Sequence, residues 1–134
     1  MSAENVAVIK AMYDGFTGGD VPGVLGRMSP SIVWNEAENF PYADRNPYHG
    51  PDAVLHGVFA RLLGEWDGFA VQIDELVDGG DTIVAFGRYV GANKQTGKSM
   101  HAQCAHVWRL KDGKAVQFQQ YADTLQVARA AGTA

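Results

Sequence analysis

From Phe69 to Tyr121 the chain reads as strand-like runs separated by turns of a few residues, and this constrains the fold more than any other feature. Phe69, Val71 and Ile73 alternate with other residues, and the phase then slips to Leu76, which predicts a bulge or strong bend. Asp78-Gly79-Gly80-Asp81 has the composition of a hairpin turn. Asn93 to Lys98 and Lys111-Asp112-Gly113-Lys114 are two further turns. The strands they bound are Thr82 to Val90, Met100 to Leu110 and Ala115 to Tyr121. Strands joined so tightly must pair antiparallel, because a parallel return needs a crossover of about a dozen residues or more.

The first half has a different period. Val6, Ile9, Met12, Tyr13 and Phe16 recur at helical spacing, predicting a helix from Ala3 to Phe16 that Gly18 and Gly19 stop. Asp20 is a good N-cap for a second short helix with Val21, Val24, Leu25 and Met28 as its apolar positions, Pro22 in its first turn and Pro30 as its end. A strand, Ser31 to Ala37, follows, then a loop from Asn39 to Gly50. Gly50-Pro51-Asp52 opens a third helix with a broad apolar face (Val54, Leu55, Val58, Phe59, Leu62, Leu63) that ends near Gly64 to Trp66. Asp123-Thr124 caps a short tail helix through Arg129. Helices segregated from a consecutive strand run give an α+β fold, with three helices of the first half packed on one face of a strongly curved, mainly antiparallel sheet. A sheet curved around helices forms a cone whose hollow is a natural small-molecule pocket.

With 134 residues the chain fits one domain, residues 1–134, large enough for a real core. Its basic residues are scattered and its net charge is −4, which argues against a nucleic-acid surface. The apolar runs are too short to span a bilayer, and no signal peptide is evident at the start. Cys104 is the single cysteine, so neither an intrachain disulfide nor a cysteine-based zinc site is expected, and a cytoplasmic location is the default. No Gly-rich phosphate loop, HExxH or EF-hand pattern occurs, and no cofactor or metal is expected.

In Ser31 to Ala37, Ile32, Trp34 and Glu36 share a strand face. Trp34 turns that face inward, which places Glu36 in an apolar interior where burial raises a carboxyl pKa toward usable acid/base range. On Met100 to Leu110 the more apolar face carries Cys104, His106, Trp108 and Leu110, so His106 points into the same interior. Two titratable groups in one apolar pocket suggest acid/base work. Tyr13 either directs its hydroxyl into the cone or is a core aromatic. Gln120 shares a face with Phe118 and is either a pocket lining or a surface residue. Trp34, Phe59, Phe86, Trp108, Phe118 and Gln120 are the expected ligand-binding wall, with Tyr42, Tyr48 and His49 either rimming the mouth or anchoring the loop. His101 faces the opposite side, and His56 is structural or exposed.

Four segments carry a family resemblance: TGGD after the first helix, VPGVLGRMSPSIVWNE, the GPDAV helix start and the HVWRLKDGKAVQFQQYADT finish. On these the chain resembles the SnoaL-like and ketosteroid isomerase-like branch of the nuclear transport factor two-like superfamily over nearly its whole length. The resemblance implies a cone-shaped barrel of cystatin-like topology. It places Glu36 at the general-base carboxylate of ketosteroid isomerases and His106 where they carry an acidic oxyanion donor. The family's helix-one Tyr falls on Met12, with Tyr13 one residue later. In SnoaL-like cyclases the last-strand Asp corresponds to Asp123, which also reads as a helix cap.

The expected function is an isomerase- or cyclase-like enzyme that transfers a proton next to a carbonyl of a small, mostly apolar molecule. Glu36 is the base, and His106, with Tyr13, the hydrogen-bond donor. The alternatives are a non-catalytic ligand-binding or assembly module, and an epoxide hydrolase-like enzyme, which would need an arginine between carboxylates. Thr82 to Val90 is apolar on both faces and only one lines the cone. Together with Ala105 and Val107, the second predicts a homodimer through the outer sheet face.

Overall fold

In the computed structural model, which describes residues 2–134, the N-terminal stripe becomes helix α1 (Ser2–Thr17). Ile9 and Met12 are buried at its centre. Asn5 donates to the Gly80 carbonyl at 2.9 Å and so pins the helix start to a hairpin turn. Asp20 caps α2 (Val21–Gly26) by accepting from Gly23 N at 3.0 Å, which satisfies an amide that a helix start leaves without a partner.

Strand β1 runs Met28–Asn35, so Met28 and Pro30 belong to it rather than to the second helix and its stop. The strand accommodates Pro30 because its pairing is interrupted between Met28 and Val33, where a missing N–H costs no ladder bond. A 3₁₀ turn (Pro41–Arg45) and the short β2 (Tyr48–His49) follow. The third helix comes in three pieces: α3 (Pro51–Val54), a π-helical segment (Leu55–Phe59) and α4 (Ala60–Glu65). Gly57 sits in the wide turn against the Tyr48 ring, where an added Cβ would meet Tyr48 Cε2 at 2.2 Å.

Four long strands complete the sheet: β3 (Trp66–Gly79), β4 (Thr82–Asn93), β5 (Ser99–Lys111) and β6 (Lys114–Ala122). The order is β2-β1-β6-β5-β4-β3, antiparallel throughout except for the parallel β1–β6 pair. The slip read before Leu76 appears as a register shift between Ile73 and Glu75. Helix α5 (Thr124–Ala131) closes the chain. The α+β class and the helices packed on a curved, unclosed sheet agree with the sequence reading.

The register of β4 corrects one expectation. Directly opposed residues of an antiparallel pair share a face. Ala85 opposes His106, and Phe86 opposes Ala105. His106 is buried in the interior, so Ala85 and, four residues on, Tyr89 are interior too. Phe86 lies on the outer face and is 42% exposed.

Candidate active site

The interior hollow has a volume of about 60 Å³ and is walled by α1, the third helix and the inner sheet face. Its apolar lining includes Met12, Phe16, Trp34, Val58, Phe59, Phe69, Trp108 and Phe118. Its polar groups are Glu36, His106, Tyr13, Tyr89 and Gln120.

Glu36 lies one residue beyond β1 and is buried. Its backbone is held by the Asn46 side chain, which accepts from Glu36 N at 2.9 Å and donates to Glu36 O at 2.8 Å. The Asn46 amide thus continues a strand-like pair of bonds where β1 has ended. Glu36 Oε2 accepts from Trp34 Nε1 at 3.1 Å. Glu36 Oε1 has no partner and is the one such buried side-chain N or O atom among the described residues. Burial pushes the carboxyl up to about 8, opposed in part by the Trp34 bond and the Arg61 charge.

His106 stands in a continuous hydrogen-bonded row. Tyr13 Oη lies 2.6 Å from His106 Nδ1, and Tyr89 Oη lies 2.5 Å from His106 Nε2. Trp108 Nε1 donates to Tyr13 Oη at 2.8 Å, and Gln120 Nε2 donates to Tyr89 Oη at 2.7 Å. The row draws its side chains from α1, β4, β5 and β6, so it forms only when helix and sheet are assembled. Burial pushes His106 down to about 3 and raises both tyrosine hydroxyls, so all three are neutral at ordinary pH. Among the described residues no hydrogen bond or ion pair joins Glu36 to His106, so the carboxyl is not committed to a structural pair. An apolar chamber with one carboxyl oxygen left without a partner and a fixed hydroxyl row can hold a small molecule through one oxygen acceptor and one acidic hydrogen.

The SnoaL-like domain model matches residues 9–118. The chain belongs to the SnoaL-like family. The solved structures similar to this SnoaL-like domain include an NTF2-like protein from Burkholderia thailandensis. It is 39% identical, with a TM-score of 0.90 over 94% of this chain and 95% of that one. TerC, co-crystallised with polyporic acid, is 25% identical over 96% of this chain and 98% of its own, at a TM-score of 0.85. A Jannaschia protein described as a SnoaL-like polyketide cyclase shares the fold at 17% identity, with a TM-score of 0.84 over 99% and 94% of the two chains. A comparison with curated proteins finds no match.

The SnoaL-like interior brings together Glu36, His106, Tyr13, Trp34, Phe59, Trp108, Phe118 and Gln120. Four expected residues stand elsewhere. Phe86 is on the outer face for the register reason given above. Asp123 accepts from Gln126 N at 3.2 Å and from Gln126 Nε2 at 3.2 Å, acting as the cap of α5 outside the hollow. Tyr42 and Tyr48 are buried but face away from it, because their hydroxyls are drawn to polar partners on the third helix and its end. Tyr42 Oη donates to Glu65 at 2.7 Å and accepts from Trp66 Nε1 at 3.0 Å. Tyr48 Oη accepts from Arg61 at 2.9 Å and donates to the Tyr42 carbonyl. Tyr89 and Asn46 were missed. Arg88 shares the face of Phe86, and that charge was the available signal that Tyr89's face is the inner one. Asn46 sits in a loop with no periodicity to mark it.

Proposed function

We propose that this SnoaL-like domain is an enzyme that moves a proton at carbon next to a carbonyl of a small, largely apolar molecule. Glu36 is the base. The hydroxyl row centred on His106 supplies the hydrogen bond that stabilises the developing enolate oxygen. The observation that carries this reading is Glu36 Oε1, a buried acceptor left without a partner on the wall of an apolar hollow. The similarity to TerC, co-crystallised with polyporic acid, supports a small organic ligand. Among the described residues no arginine lines the hollow, and Arg61 is turned to Asp44 at 2.8 and 3.0 Å, so an epoxide hydrolase-like arrangement finds no support.

Acetone is small enough to test the site. Its methyl hydrogens should exchange with D₂O, followed by proton NMR, about a hundredfold faster with the wild type than with Glu36→Gln. The rate should rise with pH through about 8 as the base ionises. Equal rates for the two proteins would refute Glu36 as a base and favour a binding module.

The protein is also proposed to be a homodimer through the outer sheet face. Phe86, Ala105 and Tyr121 stand in one cross-strand row there, with Phe86 42% and Tyr121 57% exposed, and Val84 and Val107 form the next row.

A further inference from the structure

Counting protons along the row of hydroxyls sharpens the assignment of the donor. Trp108 Nε1 can only donate, so Tyr13 Oη accepts from it. The amide of Gln120 is fixed in orientation, because its Oε1 accepts from Ala37 N at 3.0 Å. Its Nε2 therefore donates to Tyr89 Oη. Each tyrosine oxygen is thus already an acceptor from outside the row. Between them stands a neutral imidazole, which carries one N–H and one lone pair. One tyrosine donates to it and the other accepts from it. Two hydroxyls and one imidazole hold three protons, and the two contacts with His106 consume two. One hydroxyl proton is left over.

The surroundings decide where it rests. The hydrogen-bond partners of Tyr13 Oη are Trp108 Nε1, a donor, and His106 Nδ1. Tyr13 Oη therefore stands at the Trp108 end of the row. Tyr89 Oη is held by Gln120, whose other amide atom binds the backbone of Ala37, the residue next to Glu36, so Tyr89 stands at the Glu36 end of the row. The arrangement that leaves the spare proton at the Glu36 end runs from Tyr13 O–H to Nδ1 and from Nε2–H to Tyr89 Oη. We infer that Tyr89 presents the spare hydroxyl proton to a carbonyl oxygen bound beside Glu36, and that His106 positions this proton without touching the ligand. The inference rests on reading the hollow as a carbonyl site, and it moves the donor from the family position on β5 to a β4 side chain. His106 is a positioning residue in this scheme: its tautomer selects which tyrosine faces the ligand.

Two measurements test it. In histidine-¹⁵N-labelled wild type, NMR should show His106 protonated at Nε2 and bare at Nδ1. Protonation at Nδ1 would put the spare proton on Tyr13 and overturn the assignment. In the second, infrared difference spectra follow carbonyl-¹³C acetone. The carbonyl band should move to lower wavenumber in the wild type and return toward its free position in Tyr89→Phe. A band that stays shifted in Tyr89→Phe would overturn it. Glu36-dependent exchange with an unshifted band would refute the Tyr89 donor and leave the base standing. A Tyr89-dependent shift without exchange would support the donor and remove the base.

Discussion

Replacing Glu36 by Gln should change the shape of the stability–pH curve, and the size of the change follows from the burial of two groups. In the unfolded chain Glu36 ionises at its ordinary 4.5; in the folded protein burial holds it up to about 8. Between those values the folded state binds one proton more than the unfolded state. Stability therefore falls as pH rises, by about 1.4 kcal/mol per pH unit. The contribution is complete below 4.5 and has been lost above about 8, a difference of about 5 kcal/mol. His106 acts in the opposite sense. Its ordinary 6.5 is depressed to about 3, so in that window the unfolded state binds the extra proton and stability rises with pH. The windows overlap from 4.5 to 6.5, where the two slopes cancel. The wild type should show a plateau there and lose about 2 kcal/mol between 6.5 and about 8. Glu36→Gln should remove that alkaline decline and uncover the rise due to His106. Urea unfolding of both proteins across this range gives the difference directly, with all other titrations cancelling. The difference should change by about 4 kcal/mol from pH 5 to pH 8. A difference that is constant to within about 1 kcal/mol would refute the burial argument for Glu36.

Trp34→Phe removes the donor to Glu36 Oε2, the main influence holding its pKa down, so the exchange profile with acetone should shift to more alkaline pH. Asp123→Ala should cost about 1 kcal/mol in urea unfolding, as the loss of a helix cap does, and leave acetone exchange at the wild-type rate. Gly57→Ala forces a methyl into the Tyr48 ring, which Arg61 and the Tyr42 carbonyl hold in place, and should cost about 1–3 kcal/mol in the same assay. Val107→Asp places like charges near the two-fold axis of the proposed dimer. Sedimentation should show wild-type dimers and variant monomers, and a variant that remains dimeric would refute that interface.

The sequence made the fold legible because its periods are clean. Val6 to Phe16 repeats as a helix must, and the turns between Phe69 and Tyr121 leave no room for anything but reversals. It made half of the site legible for the same reason: Trp34 orients Glu36, and Trp108 orients His106, each through strict alternation. What it left hidden depends on relations between strands. Tyr89 and Phe86 sit on opposite faces of one strand that is apolar on both, so only the pairing of Ala85 with His106 tells them apart. Asn46 reaches Glu36 through loop geometry that no periodicity encodes. Asp123 looked alike as catalyst and as cap, and the distance to Gln126 N separates the two.

The parallel pairing of β1 with β6 has a consequence for how the chain is made. Trp34 lies opposite Phe118, and Asn35 opposite Gln119, so the strand that carries Glu36 to the cavity is joined to the sheet by the last strand to be synthesised. On the ribosome, the β1–β2 pair emerges early, but it has no partner in the main sheet until β6 has cleared the exit tunnel. The chamber therefore cannot close around Glu36 during elongation. Its assembly is a late, long-range event, of the kind that sets the folding rate of sheet proteins. A chain released before β6 would expose both Trp34 and Trp108, the stretch of its life when it most needs protection from its neighbours.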